Sequence, residues 1–241
     1  MVLISIVTWN SRSVLPHCLA SLETQTYRNT SIVIIDNAST DGTLEFLAAH
    51  YPHIPVIKNT TNRGFAAAQN QGIQYLATSS YVLVLNPDVI LTPNYLISLV
   101  AIMEQNQKTA GITGQLLRFK FEGDTVVKTN IIDSEGLEML PTRHVRERNA
   151  GSLTTNSSPH AVWGISGACA LYRMSALEDV KQNEEYFDQD FFCYKEDVDI
   201  SWRMQRKGWS FLYMPCAQAY HARGIGKDKS HGKRPLHINQ W

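Results

Sequence analysis

The first half of this chain alternates short apolar runs with segments of helical periodicity, and this alternation restricts the possible folds. The apolar runs predict strands at Leu3–Thr8, Ser31–Ile35, Pro55–Lys58, Tyr81–Leu85 and Ile112–Leu117. The segments between them predict helices at Val14–Thr24, Thr43–His50, Phe65–Ala77 and Pro93–Gln107. Repeated strand–helix units form a mainly parallel central sheet with helices on both faces. We therefore expect an α/β fold.

Charge limits the partners that such a domain can have. The chain has 22 basic and 22 acidic residues, which cancel, so we expect no nucleic-acid partner. The segment 223–241 is an exception, because five Lys and Arg residues there stand against Asp228 alone. A basic tail of this kind is either a solvated end or a contact for phosphate or a membrane surface.

Several common functional motifs are missing. The first predicted strand is followed by Trp9-Asn10-Ser11-Arg12, not by G-x-G-x-x-G, which disfavours a dinucleotide site. Neither the P-loop motif nor G-x-S-x-G occurs. No apolar run approaches the roughly 18 residues that span a bilayer, and the first strand lacks the flanks of a signal peptide. These absences favour a cytoplasmic protein whose nucleotide site would depend on side-chain hydrogen bonds and a metal.

Polar clusters follow four of the predicted strands. They are Thr8-Trp9-Asn10-Ser11, Asp36-Asn37-Ala38-Ser39, the segment 59–64 and Asn86-Pro87-Asp88. In parallel sheets, ligands bind beyond the carboxyl ends of the strands, so these clusters are expected to converge on one rim.

The second half departs from this pattern. The stretch from Phe119 to His160 is polar and carries a basic group, Arg143, His144, Arg146 and Arg148. We interpret it as a long structureless excursion that covers a substrate. After an apolar segment, the acidic group Glu196-Asp197-Val198-Asp199 begins an amphipathic helix, and Trp209–Met214 is predicted to be a closing strand.

Taken in order, six segments resemble glycosyltransferase family 2, the inverting GT-A enzymes, and are most similar to its rhamnosyltransferase-like branch. They begin at Ser5 (SIVTWN), Val33 (VIIDNASTDGT), Asn62 (NRGFAAAQNQGI), Leu83 (LVLNPDV), Gly164 (GISGAC) and Tyr194 (YKEDVDISWR). The resemblance covers residues 4–222 and implies one GT-A domain, in which 1–118 bind the nucleotide sugar and 119–222 bind the acceptor and catalyse transfer.

The resemblance implies a nucleotide-sugar pocket at the predicted rim. Its implied residues are Thr8, Asn10, Asp36, Asn37, Arg63, Gly64, Asn86, Asp88, Trp163 and Gly167. Asp36 would bind the base or ribose, although a turn-forming aspartate is the alternative. Arg63 and Gly64 precede a helix whose free N–H groups would suit a diphosphate, although a surface arginine beside a turn glycine is also possible. Trp163 and Gly167 would support the sugar, whereas Trp202 is expected in the core.

The resemblance also implies a divalent metal. Asn86-Pro87-Asp88 stands where GT-A enzymes carry their Asp-x-Asp motif, and only one carboxylate remains here. Mg²⁺ or Mn²⁺ could be held by Asp88, waters and the diphosphate of the donor. His221 is implied as a further ligand, with a purely structural histidine as the alternative. Pro87-Asp88 could also simply start a turn.

By the same resemblance, Asp197 is the base that deprotonates the acceptor, and Glu196 orients acceptor or base. The alternative is a helix start with acids that suit its dipole. The implied activity is transfer of a sugar, with L-rhamnose from dTDP-rhamnose as the best single choice, from a dTDP- or UDP-sugar to a saccharide acceptor carried on a lipid at the inner membrane face. A sugar nucleotidyltransferase and a non-catalytic sugar-nucleotide-binding protein are the rival interpretations.

Overall fold

The computed structural model describes residues 1–123, 125–154 and 157–222. The basic segment 223–241 lies outside the described residues. Twelve strands are found among these residues: β1 Val2–Thr8, β2 Thr30–Asp36, β3 Val56–Lys58, β4 Tyr81–Leu85, β5 Val89–Leu91, β6 Thr109–Glu122, β7 Thr125–Ser134, β8 Leu137–Met139, β9 Val145–Glu147, β10 His160–Val162, β11 Cys169–Arg173 and β12 Ser210–His221. The α-helices are α1 Leu15–Glu23, α2 Thr43–His50, α3 Phe65–Tyr75, α4 Tyr95–Gln105, α5 Met174–Val180 and α6 Glu196–Arg206.

One central sheet runs through the described part of the chain in the order β10-β12-β6-β11-β4-β1-β2-β3, with β5 paired to β12 and β7 to β6. The strands β3, β2, β1 and β4 are parallel, as the sequence pattern predicts. The second half is mixed, because β11 lies antiparallel between β4 and β6, and β12 is parallel to β6. This arrangement places the end of β4 beside the start of β11.

Helices cover both faces of the sheet, because successive side chains of a strand point to opposite faces. Ile4 and Ile6 of β1 pack in a core with the apolar residues of α1, α2 and α4. Leu3 and Val7 pack in a second core with α3, α5 and α6. None of the helices among the described residues has the length and apolarity needed to cross a membrane.

The prediction of a structureless excursion between Phe119 and His160 is wrong. The strand β6 continues to Glu122 and pairs with β7, and β8 and β9 form a second hairpin. The first seven residues of β7 are exposed or only partly buried, so this hairpin gives a weaker sequence signal than a buried strand. The strand β5 and the helix α5 are too short to show a clear period, and the sequence analysis missed both.

Candidate active site

The carboxyl ends of β1, β2 and β4 meet at one rim, as the polar clusters predict. Thr8 pairs with Asp36 across β1 and β2, and Leu85 at the end of β4 pairs with Cys169 at the start of β11. The cluster after β4 and the segment before β11 therefore share this rim.

Asp36 and Thr8 are buried at the centre of the rim. Thr8 Oγ1 donates a hydrogen bond to Asp36 Oδ1 at 3.0 Å, and the backbone N–H of Ser39 donates to Asp36 Oδ2 at 2.9 Å. A carboxylate accepts more than one bond per oxygen, so these contacts leave acceptor capacity for a ligand. The bond from Ser39 N nonetheless confirms the turn-forming role that was the alternative for Asp36. The contact of Asp36 with a base stays a prediction.

Asn10 and Asn37 hold the loops of the rim together. Asn10 is exposed, and its Oδ1 accepts a hydrogen bond from Thr40 N at 2.8 Å. Asn37 is buried, and its Nδ2 donates to Gly64 O at 3.0 Å. The structure thus places both residues beside Asp36, with Asn37 acting mainly through the backbone of the next cluster.

The diphosphate site expected on the free N–H groups of α3 is not available in this structure. The backbone N–H groups of Phe65 and Ala66 donate to Phe192 O at 2.6 and 3.3 Å. Gly64 has a φ of +81°, and a Cβ there would lie 2.5 Å from Phe192 O. Gly64 is therefore required by the packing of Phe192, while the exposed Arg63 still lies at the same rim.

Asp88 is connected to Asp197 through a short series of backbone contacts. Asn86 N donates to Ala168 O at 2.8 Å, two residues before Asp88. Gly167 N, next to Ala168, donates to Asp197 Oδ2 at 3.1 Å. Both carboxylates are partly exposed. Residues 109 positions apart in the chain therefore lie on the same rim, within reach of solvent.

His221 lies between two carboxylates. Its Nε2 is 3.3 Å from Asp88 Oδ1, and its Nδ1 is 2.7 Å from Asp133 Oδ2. Arg118 Nε also contacts Asp133, at 3.2 Å from Oδ1. Burial alone would lower the pKa of His221, but the hydrogen bonds with Asp133 and Asp88 outweigh it and raise the pKa to about 9. The sequence analysis missed Asp133, because it lies in the supposed excursion and no local motif marks it.

The spacing of the Asp88 and His221 atoms fits a divalent cation that replaces the Nε2 proton of His221. Two neighbouring ligands of an octahedral ion with bonds of about 2.1 Å lie roughly 3 Å apart, and the Asp88 and His221 atoms are 3.3 Å apart. Histidine ligands of metals usually bond a carboxylate through their other ring nitrogen, as Nδ1 does here with Asp133. No group of three or more His, Cys, Asp or Glu side chains that could hold a metal occurs in the described ranges. A cation here would therefore depend on other ligands, such as diphosphate oxygens and water.

Glu196 and Asp197 begin α6. Both oxygens of Asp197 accept backbone hydrogen bonds, Oδ2 from Gly167 and Oδ1 from Val198 N at 2.8 Å. Glu196 is buried, and its Oε2 has no hydrogen-bond partner among the described residues. Asp199 pairs with Arg203 at 2.7 Å, which braces the first turns of the helix. This arrangement exceeds what a helix cap needs, because Glu196 is buried and Asp197 contacts Gly167 of the segment before β11.

Burial perturbs the ionisation of both acids. Burial, followed by the charge of Asp197, raises the pKa of Glu196 to about 7. Burial also raises the pKa of Asp197, although the N–H groups of Gly167 and Val198 oppose this effect. A carboxyl pair with raised pKa values is suited to proton transfer near neutral pH.

The segment before α6 has strained backbone, and the helix α3 holds it at two points, Phe187 and Phe192. Phe192, Tyr194 and Lys195 have φ values of 53°, 74° and 76°, which non-glycine residues rarely adopt. Asn70 of α3 fixes the upstream end: its Nδ2 donates to Phe187 O at 2.7 Å, and its Oδ1 accepts from Phe187 N at 2.9 Å. Asn70 stands inside the family-like segment NRGFAAAQNQGI, but its role was missed because it depends on contacts 117 residues away.

The two tryptophans differ from expectation. Trp202 is 42% exposed, so its predicted place in the core is wrong. Its ring centroid lies 6.2 Å from that of Trp163, which is half-buried, and Gln205 Nε2 donates to Trp163 O. The contacts of Trp163 are therefore with the outer turns of α6, whereas Gly167 touches Asp197 directly. A sugar-supporting role stays a prediction for both residues.

Comparisons with known proteins bear on this site. The family described as "Glycosyl transferase family 2" matches residues 3–181. The chain is 29% identical over 249 residues to the N-acetylglucosaminyl-diphospho-decaprenol L-rhamnosyltransferase of Mycobacterium tuberculosis, covering 92% of this chain and 76% of that protein. It is 26% identical over 214 residues to the poly-beta-1,6-N-acetyl-D-glucosamine synthase of Staphylococcus aureus, covering 88% of this chain and 47% of that protein.

Solved structures share the architecture. GalNAc-T7 with UDP, GalNAc and Mn²⁺ superposes with a TM-score of 0.75 at 17% identity, over 92% of this chain and 44% of that chain. S. aureus TarS 1-349 in complex with UDP gives a TM-score of 0.62 at 17% identity, over 92% of this chain and 60% of that chain. At such identities the likeness concerns the fold alone, and it confirms the GT-A fold predicted from the sequence.

Proposed function

Since this chain belongs to glycosyl transferase family 2, we propose that it transfers L-rhamnose from dTDP-rhamnose, with inversion, to a saccharide acceptor in the synthesis of a cell-surface polysaccharide. The observation that carries the proposal is the link from Asp197 through Gly167 and Ala168 to Asn86 and Asp88. It holds both carboxylates on one rim, which supports a role of Asp197 as base and of Asp88 as cation ligand.

Asp197 acts as the general base in this proposal. Its carboxylate takes the proton of the acceptor hydroxyl while that oxygen forms a bond to the anomeric carbon and the bond from carbon to the diphosphate oxygen breaks. The N–H groups of Gly167 and Val198 hold the two oxygens of Asp197 in one orientation. Glu196, whose buried Oε2 has no partner within the described part of the chain, would orient the acceptor or share the proton.

The donor side is formed by the remaining rim residues. Thr8, Asn10, Asp36 and Asn37 surround the base and ribose, and Arg63 and Asn86 lie nearer the diphosphate. Asp88 and His221 would hold Mg²⁺ or Mn²⁺, which stabilises negative charge on the departing nucleoside diphosphate when bound. In this scheme residues 1–118 bind the donor and 119–222 the acceptor, although position 118 falls inside β6 and one sheet joins both parts.

The acceptor in our proposal is a saccharide on a lipid diphosphate. The name of the M. tuberculosis relative describes an acceptor of this chemistry, a sugar joined through a diphosphate to a prenol. Such an acceptor would bring the protein to the inner membrane face, where the basic tail could contribute. Neutralising Lys227, Lys229, Lys233 and Arg234 would leave membrane association unchanged if the tail has no such role.

A panel of nucleotide sugars, offered with and without Mn²⁺, tests the proposal. We expect dTDP-rhamnose to raise the melting temperature in a metal-dependent way, and we expect Asp197→Asn to keep this rise. The same variant should lower kcat by about 10²–10⁴. Binding of a different nucleotide sugar would identify that sugar as the donor in place of dTDP-rhamnose. Donor binding by a protein whose activity does not change in Asp197→Asn would favour a non-catalytic binding protein. Release of diphosphate from a nucleoside triphosphate and a sugar phosphate would favour a nucleotidyltransferase.

A further inference from the structure

The hairpin of β8 and β9 is fixed beside the candidate catalytic carboxylates. Ser166 Oγ, which adjoins Gly167, donates to Glu147 Oε1 at 2.8 Å. Leu137 N donates to Gly164 O at 2.8 Å in the same segment. On the other side, Lys195 Nζ, which precedes Glu196, donates to Val145 O at 3.4 Å. The hairpin therefore contacts both segments that position Asp197.

This basic hairpin, residues 137–148, carries more positive charge than its acids neutralise. Arg143 and His144 are exposed at its turn. Arg146 pairs with Glu138 at 2.7 Å across the strands, with 58% of the arginine side chain exposed. Neither Arg143 nor Arg148 pairs with a carboxylate in the part of the chain that the structure describes, and Arg148 Nε is buried there without a hydrogen-bond partner.

The carboxylates next to this surface are already engaged. Glu147 binds the hydroxyls of Ser134 and Ser166, and the buried Glu135 binds Gln115, Tyr213 and Asn149. An open cavity of about 450 Å³ lies against β9, and its lining residues are Arg146, Glu147, Asn149, Ala150 and Ser152. Beside its bond to Glu138, Arg146 keeps further guanidinium N–H groups, and Ser152 adds a hydroxyl at the same cavity. Such donors favour an anion with several oxygens.

The position of the hairpin indicates which part of a substrate it meets. Leu137 pairs with Glu147 and Met139 with Val145, so the hairpin extends away from the anchor at Ser166. Arg143 precedes Glu147 by four residues, or about 13 Å of extended chain at roughly 3.3 Å per residue. Arg143 therefore lies towards the tip of the hairpin, away from the anchor at Ser166, which suits an anionic group beyond the accepting sugar.

We propose that the basic hairpin binds the diphosphate of the lipid-linked acceptor. This inference rests on the function proposed above and adds a recognition site that is separate from the donor pocket. Arg143 and Arg146 would form charge-assisted bonds to the phosphate oxygens, while Lys195 adds an ammonium group between the hairpin and the catalytic acids.

The test uses the full chain and a ten-carbon prenyl diphosphate, with the ten-carbon prenol as the uncharged probe. Saturating dTDP and Mn²⁺ occupy the donor site, so that the probe cannot bind there. We expect calorimetry to detect the diphosphate but not the prenol, and we expect Arg143→Asn with Arg146→Gln to weaken binding roughly tenfold or more. Asn suits position 143, because it tolerates the φ of +63° found there. Arg28→Gln, an exposed arginine on the loop before β2, is the matched control and should bind like the parent.

Two outcomes would overturn the inference. One is prenyl diphosphate binding that the double variant leaves unchanged. The other is a loss by this variant of binding to phosphatidylglycerol vesicles while prenyl diphosphate binding persists, because the hairpin would then be a membrane contact. Binding of dTDP-rhamnose, measured separately, should be equal in all variants. If the parent protein binds no nucleotide sugar, the proposed function fails independently of the hairpin result.

Discussion

The imidazole Nδ1 of His221 lies 2.7 Å from Asp133 Oδ2, at the end of β12 opposite the contact with Asp88. Asp133 is 2% exposed, and Arg118 contacts its other oxygen. A buried carboxylate in this position fixes the ring and directs Nε2 towards Asp88. The sequence separation of 88 residues shows that the hairpin of β6 and β7, not a local motif, creates the arrangement.

Asp133→Asn should weaken Mn²⁺ binding about 10–100-fold, because it removes the charge that orients His221. The affinity is measured by electron paramagnetic resonance of free Mn²⁺ in the presence of dTDP, so that the result does not depend on turnover. Glu122→Gln is the control, since Glu122 forms an exposed ion pair with Lys120 on the same strand, β6. An Asp133→Asn variant with parental affinity would show that Asp133 supports only the fold.

Gly64→Ala should destabilise the protein more than Gly42→Ala. Both glycines are N-cap residues with positive φ. Gly42, with φ +87° and ψ 10°, is left-handed, which costs alanine about 1–2 kcal/mol. Gly64, with φ +81° and ψ 172°, lies in a region almost restricted to glycine, which costs about 1–3 kcal/mol. Only at Gly64 would the new Cβ also collide with Phe192, 2.5 Å from its carbonyl oxygen, whereas Gly42 has nothing within 4 Å. The free energy of unfolding in urea is the measurement.

The displaced Phe192 segment should also disturb Asp197, so we expect Gly64→Ala to lower kcat while Gly42→Ala retains it. Equal losses of stability in the two variants would mean that the Phe192 segment moves aside at no cost. It would then be a loosely held loop, in disagreement with the packing described above.

The sequence predicted what buried periodicity and motif order can specify. The parallel strands β1 to β4 and the helix α6 stand out because their apolar residues are continuous or follow the helical repeat. Asp88, Asp197 and Gly167 were placed by family resemblance, and the structure brings them to one rim. The hydrogen bonds of the α3 N-terminus could not be predicted, because Phe192 O comes from a segment 127 residues away. Three residues of that segment have positive φ, which no local sequence signal indicates. The roles of Asp133 and Asn70 could not be predicted for the same reason, since each residue acts only through long-range contacts.

Asn70→Ala should destabilise the protein by about 2–4 kcal/mol, because it leaves buried backbone groups of Tyr186 and Phe187 without partners. Gln74→Ala is the matched control on the same helix, where an exposed side chain donates a single bond to Glu184 O. We expect it to change the free energy of unfolding by less than about 0.5 kcal/mol. Similar values for the two variants would contradict the anchoring role of Asn70.

Glu196→Gln should stabilise the protein at alkaline pH and not at acidic pH. Glu196 ionises near 4.5 in the unfolded chain, and burial raises its pKa to about 7 in the folded protein. Between these values the folded state holds more protons than the unfolded state, so the stability of the parent falls as pH rises and levels off above about 7. Glutamine carries no charge, so the stability of the variant does not fall with pH in this way. The difference in the free energy of unfolding should grow from near zero at pH 4.5 to roughly 1–3 kcal/mol at pH 8.

Urea denaturation of parent and variant across this range is the measurement, and subtracting the two curves removes contributions that both proteins share, including that of His221. Glu45→Gln controls for the loss of a favourable acid in a first helical turn, because Glu45 is exposed at the start of α2. A pH-independent difference for Glu196→Gln would mean that Glu196 has the same pKa in the folded and the unfolded protein. The raised pKa of the carboxyl pair, and with it the supply of a base near neutral pH, would then have to come from Asp197 alone.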